Sequence, residues 1–139
     1  MPGFSKASKS RLATCHPDLQ KVMREAIKEV DFSVISGRRL PEKQFSLYQK
    51  GRKYIDGKWV IVDKGSVVTY KDGYTKLSRH NTKPSEAVDI VPFPIDWKNI
   101  QRFKDLSVVI KRIAKELGVE LQYGGDWRWK DYPHYQIKK

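Results

Sequence analysis

The sequence predicts an α+β fold: a small, mostly antiparallel sheet with helices packed on it, in one domain. Three observations carry this prediction. The 139 residues suit a single core. Two stretches repeat apolar residues at helical spacing, and short β-prone runs bounded by Gly and Pro lie around them. No internal repeat, low-complexity tract or linker divides the chain, so residues 1–139 are taken as one domain.

The elements follow in chain order. In PDLQKVMREAIKEV, residues 17–30, Leu19, Val22, Met23, Ala26, Ile27 and Val30 share one helical face. Pro17 suits the first turn and Asp18 the positive end of the dipole. FSVIS at 32–36 reads as a strand closed by Gly37. PEKQFSLYQK at 41–50 reads as a helix stopped by Gly51. Residues 53–75 hold two Asp-Gly pairs among β-branched and aromatic residues, the signature of one or two hairpins or an irregular flap. EAVDIV at 86–91 is a strand ended by Pro92. Residues 97–117 form the longest helix, with Phe103, Leu106, Val109, Ile110, Ile113, Ala114 and Leu117 as its buried stripe and Gly118 as its cap. Two short strands, VELQY at 119–123 and HYQIK at 134–138, close the chain around the loop GGDWRWKDYP.

Composition narrows the function. Lys and Arg number 28 against 16 Asp and Glu, a net charge of +12, which favours a polyanionic partner: nucleic acid, an anionic membrane face or a cell-wall polymer. No apolar run approaches the roughly 20 residues that cross a bilayer. The N-terminal stretch is basic but lacks an apolar run of signal-peptide length. The single cysteine, Cys15, excludes an internal disulfide and a cysteine-based zinc cluster, and is read as a buried, inert thiol.

The chain has three histidines, and two stand where a metal site could use them. His80 lies in a polar loop, Asp89 in the strand 86–91, and His134 at the start of the last strand. If those strands are neighbours, Asp89 and His134 lie side by side and His80 reaches in from the loop. Three protein ligands with a fourth position left open is the pattern of catalytic zinc. Such a site also needs a base that does not bind the metal; Asp131 is one candidate and Asp126 a second. His16, before a proline at a helix start, is read as structural. Trp127 and Trp129 are expected to pack the loop or line a groove.

These residues occur in an order that resembles the zinc peptidases of peptidoglycan, the D-alanyl-D-alanine carboxypeptidase and L-alanyl-D-glutamate endopeptidase family, most of all its small phage endolysins. The resemblance rests on Ser78-Arg79-His80, Ala87-Val88-Asp89, Gly125-Asp126-Trp127 and Asp131-Tyr132-Pro133-His134, with SGRRLPEKQ upstream, and spans roughly residues 17–137. It implies that His80, Asp89 and His134 bind one zinc ion and that Asp131 is the general base and later proton donor. It also implies that Arg39 holds a substrate carboxylate or an oxyanion, and that Gln44 supports that pocket. Ser78 and Trp127 are expected on the substrate side. The loop between His80 and Asp89 is longer than in many members, and Asp131 stands where many carboxypeptidases have Glu, which leans towards the endolysins.

The expected function is therefore hydrolysis of the L-alanyl-D-glutamate bond of stem peptides, leading to host lysis, with residues 1–139 expected to be a single catalytic peptidase domain without a separate wall-binding domain. Its expected partners are peptidoglycan stems, with no nucleic acid and no stable membrane insertion. The protein is expected to be a monomer, made in the host cytoplasm without a signal peptide and released to the periplasmic wall by a separate membrane-permeabilising protein. A D,D- or L,D-carboxypeptidase of the same family is the alternative. A basic nucleic-acid-binding protein is a lesser one, since no motif of known docking geometry is present.

Overall fold

The computed structural model describes residues 3–139; Met1 and Pro2, the first two residues of the basic N-terminal stretch, lie outside it. The order is α1 (Lys6–Leu12), α2 (Pro17–Ala26), β1 (Phe32–Ser36), α3 (Pro41–Tyr48), β2 (Arg52–Ile55), β3 (Lys58–Ile61), β4 (Ala87–Pro92), α4 (Ile100–Glu116), β5 (Leu121–Tyr123) and β6 (His134–Ile137). The main sheet has strand order β1-β4-β6-β5 and is antiparallel throughout. The α+β architecture predicted from sequence is the one found.

Side-chain alternation along the strands separates two chemistries. Val34, Val88, Ile90, Tyr123 and Tyr135 point into one apolar core with Leu19, Val22 and Met23 of α2 and Leu106, Ile110 and Ile113 of α4. Asp89, His134, Gln136 and Gln122 alternate with these residues and so occupy the opposite face. The register pairs Asp89 with His134 directly across β4 and β6, so the pleat that buries Val88 and Tyr135 also presents the two candidate ligands together.

Several boundaries differ from the sequence reading, each for a local reason. Helix α1 was not predicted; Ser5 caps it by accepting from the Ser8 N–H at 3.1 Å, and only Ser8 and Leu12 of its residues are buried, too few to leave an apolar stripe. Helix α2 stops at Ala26 because the chain tightens there, Lys28 N–H bonding to Glu25 O and Glu29 N–H to Ala26 O. Helix α4 begins at Ile100 rather than at residue 97: Asn99 is its cap, and Asp96 closes a separate turn onto Lys98 N–H at 3.1 Å. Leu117, placed on the buried stripe, is 44% exposed, since the helix has ended by then. Of the one or two hairpins or irregular flap read for residues 53–75, one hairpin, β2–β3, forms. Asp56 and Gly57 both have positive φ, at 50° and 81°, the two-residue turn that matches strand twist. The residues after β3 run as an irregular flap.

Candidate metal centre and active site

His80 sits in a 3₁₀ turn, Arg79–Asn81, between Ser78 and the long polar loop. Ser78 Oγ accepts from His80 N–H at 3.2 Å, and Asn81 Oδ1 accepts from Ser78 N–H at 2.8 Å. Asn81 also donates to Arg39 O at 2.8 Å. Ser78, expected on the substrate side, lines the cavity, and its hydroxyl is engaged in fixing the turn that carries His80. The His80 ring is buried, 2% exposed, with Nδ1 2.8 Å from Gly37 O. That contact requires a glycine: a Cβ at Gly37 would lie 2.3 Å from Arg11 O and from Thr14 Oγ1.

His134 is held in the same manner from the other side. Its Nε2 lies 2.8 Å from Gln136 Oε1, and Gln136 in turn donates to Gln122 Oε1 at 2.9 Å. When the His80 and His134 rings are neutral, the nitrogen facing a fixed oxygen donates to it and the other presents its lone pair. Those free nitrogens are His80 Nε2, 3.3 Å from Asp89 Oδ1, and His134 Nδ1, 3.1 Å from the same oxygen. The ligand atoms of His80, Asp89 and His134 all lie within 4.8 Å of one another.

This donor set fits a divalent metal. His80 Nε2 is buried with no hydrogen-bond partner among the described residues, a costly condition for a polar atom that a metal relieves. Burial acts to raise the Asp89 carboxyl, but the two imidazoles facing it, His134 first and then His80, outweigh burial and hold the group well below the usual carboxylate range. It is therefore an anion at the centre of the site, as a ligand must be. Burial likewise acts to lower His134, and Asp89 outweighs it, leaving the imidazole above its ordinary value.

Asp131 stands beside this cluster, with Oδ2 3.8 Å from His134 Nδ1. Its backbone N–H donates to Gly124 O at 3.0 Å, and its carbonyl accepts from His134 N–H at 3.2 Å. A Cβ at Gly124 would meet Asp131 O at 2.3 Å and His134 Cβ at 3.1 Å, so the close approach of Gly124 sets where both side chains stand. Desolvation raises the Asp131 carboxyl, His134 opposes, and Asp89 adds to the rise. Asp126, the second acidic candidate, is turned away and pairs with Lys111 at 2.7 Å.

Arg39 reaches in from the segment after β1, with Nη2 3.7 Å from Asp89 Oδ2. Gln44, on α3 and wholly buried, accepts from Arg39 Nη1 at 2.9 Å and donates to Lys71 O at 2.8 Å, joining the arginine to the flap. Trp127 packs on the His134 ring at 5.2 Å between centroids, while Trp129 is 82% exposed. A cavity of about 570 Å³ gathers Arg39, Ser78, His80, Asp89, Trp127, Asp131 and His134. Gln136, Gln122 and the Gly37 carbonyl, which orient the two imidazoles, were not singled out in the sequence. The signal for Gln136 was its position two residues after His134 on the same strand face.

His16 caps α2, its Nδ1 accepting from Asp18 N–H at 3.0 Å, and is structural as read. Cys15 is buried, and burial pushes its thiol up to about 12.

Comparison with known proteins gives a consistent picture. A model of the family described as phage L-alanyl-D-glutamate peptidase matches residues 2–139. The chain is 29% identical over 141 residues to the L-alanyl-D-glutamate peptidase of Escherichia phage T5, covering 98% of this chain and 89% of that protein. Among solved structures it is similar to the Serratia marcescens L-Ala D-Glu endopeptidase ChiX, with a TM-score of 0.72 and 29% identity, over 99% of this chain and 91% of that one.

Proposed function

This chain belongs to the phage L-alanyl-D-glutamate peptidase family, and from that premise we propose that it is a zinc-dependent endolysin hydrolysing the L-alanyl-D-glutamate bond of peptidoglycan stem peptides, causing host cell lysis. The observation that carries the reading is the meeting of His80, Asp89 and His134 ligand atoms within 4.8 Å, with Asp131 beside them and not among them. His80 through Nε2, Asp89 through its carboxylate and His134 through Nδ1 would hold one zinc ion. When bound, zinc polarises a carbonyl and lowers the pKa of water towards roughly 7.

The remaining work falls to the chain's own groups. Asp131 takes the proton of the attacking water and delivers it to the leaving amine, a role worth about 10²–10⁴-fold. Arg39, held by Gln44, offers a planar fork to a substrate carboxylate or to the developing oxyanion. Trp127 walls the cavity and keeps the His134 ring in place. In this reading the protein acts as one monomeric catalytic domain, made in the host cytoplasm and released to the wall by a separate membrane-permeabilising protein. No described helix is long and apolar enough to cross a membrane. Cytoplasmic expression alone should leave cells intact, and co-expression with such a partner should lyse them.

The deciding experiment is mass spectrometry of Gram-negative stem peptides after incubation with the protein, with and without a chelator. Chelator-sensitive cleavage between L-Ala and D-Glu is expected. Loss of a terminal D-Ala alone would assign the carboxypeptidase activity instead. Asp131→Ala should abolish turnover with its metal retained, whereas His80→Ala and His134→Ala should lose both; metal loss in the Asp131 variant would overturn its role as base.

A further inference from the structure

A second cavity, of about 650 Å³, lies where the sheet ends, at the outer edge of β5 beside the last turns of α4. We propose that it binds the extended, carboxylate-bearing peptide that continues beyond the cleaved bond, as an added strand on β5; this rests on the peptidase reading above. Three independent features point there.

The first is an open strand edge. Among the described residues, β5 pairs only with β6. The Lys138 N–H donates to Glu120 O at 3.1 Å, so in the alternating antiparallel ladder Gln122 is the next residue bonded to β6. Leu121 and Tyr123 then turn their N–H and C=O groups outward, towards the cavity they line. An edge of this kind accepts an extended peptide through main-chain hydrogen bonds.

The second is continuity with the active site. Trp127 lines both cavities. Gln122 of the edge cavity accepts from Gln136, which lines the metal cavity and holds His134. A chain leaving the metal centre past Trp127 therefore runs towards β5.

The third is charge. Lys111, Lys115 and Lys138 line the cavity. Lys111 is engaged by Asp126 at 2.7 Å, which leaves Lys115 and Lys138, both exposed, opposite Glu120 as the remaining acid. The stem beyond the L-Ala–D-Glu bond carries several free carboxylates, and two ammonium groups at the end of an open strand suit them.

The test is calorimetric binding of the synthetic tripeptide γ-D-glutamyl-meso-diaminopimelyl-D-alanine to the full, zinc-loaded protein. Lys115→Glu/Lys138→Glu should weaken binding about tenfold, and Lys115→Arg/Lys138→Arg should retain it. In the unsubstituted protein the tripeptide should shift the Leu121 and Tyr123 amide resonances, a readout independent of any variant. Unchanged affinity in the Glu variant, or shifts confined to the residues around His80 and Asp131, would overturn the proposal. The two readings separate cleanly: tripeptide bound through β5 with the L-Ala–D-Glu bond left intact upholds the cavity and overturns the peptidase. Cleavage without tripeptide on β5 does the reverse.

Discussion

At the scale of single residues, the metal centre depends on groups that touch no metal. Gln136 Oε1, 2.8 Å from His134 Nε2, decides which nitrogen of that ring carries the proton. Gln136→Met keeps the length of the side chain and removes the acceptor. It should weaken zinc affinity by about 10–100-fold, the usual effect of losing such a partner, with the fold intact by circular dichroism; unchanged affinity in a metal titration would show that Gln136 does not orient the ring. Cys15 gives a different kind of prediction. Its thiol is raised from 9.0 to about 12, chiefly by burial, with Thr14 opposing. Between those values the unfolded chain loses a proton that the folded chain keeps, so the contribution of Cys15 is whole below pH 9 and is lost as pH rises towards 12. Cys15→Ser should therefore show a shallower loss of stability in alkaline denaturation than the unsubstituted protein. Iodoacetamide should label the thiol only once the protein unfolds. Both candidate ligand rings were legible because the chain has only three histidines, and Asp89 because it stands among the apolar residues of a strand, in an order of motifs that resembles a known family. Their supports were not, because a glutamine two positions along a strand or a glycine carbonyl has no signature until the register is known.

At the scale of elements, the flap that follows β3 is fixed by two buried side chains of the segment it covers. Gln44 donates to Lys71 O at 2.8 Å and to Thr69 Oγ1 at 3.2 Å while accepting from Arg39. Arg52, buried and stacked 3.9 Å over the Tyr48 ring, donates to Tyr48 O at 2.7 Å and Thr69 O at 3.0 Å. Gly73 lies so close that a Cβ there would stand 2.8 Å from Gln44 Cβ. The flap thus forms one wall of the metal cavity, and the same amide that pins it also aims Arg39. Gln44→Ala should cost stability by about 1–3 kcal/mol, since it leaves buried groups unpaired, and should raise KM for a stem peptide more than it lowers kcat. An equal loss in kcat with unaltered KM would mean that Arg39 acts in the transition state without its tether. The hairpin was legible from Asp56-Gly57, because the turn type demands those residues. The flap path was not, because it is set by carbonyls meeting Gln44 and Arg52, and any sequence offers carbonyls.

For the whole molecule, the alternation of one sheet settles both the core and the site, which explains why so much was readable. Val88, Ile90 and Tyr135 had to face inward, and Asp89 and His134 then had to share the other side. The helix ends escaped because rival caps such as Asp96 and Asn99 are equivalent in sequence. The net charge of +12 belongs to this scale too. Most of its lysines and arginines are exposed and scattered along the chain, so they act as a field rather than a contact, raising encounter with an anionic wall and leaving the reacting groups alone. The field shortens with salt, its reach falling from about 10 Å at 0.1 M to about 3 Å at 1 M. Binding of the Asp131→Ala protein to purified sacculi should therefore weaken across that range, while kcat of the active protein on a short soluble stem peptide stays nearly constant. If kcat on the short peptide falls as steeply as sacculus binding, the charge acts within the catalytic cavity, and Arg39 with the lysines of the flap becomes the place to look for it.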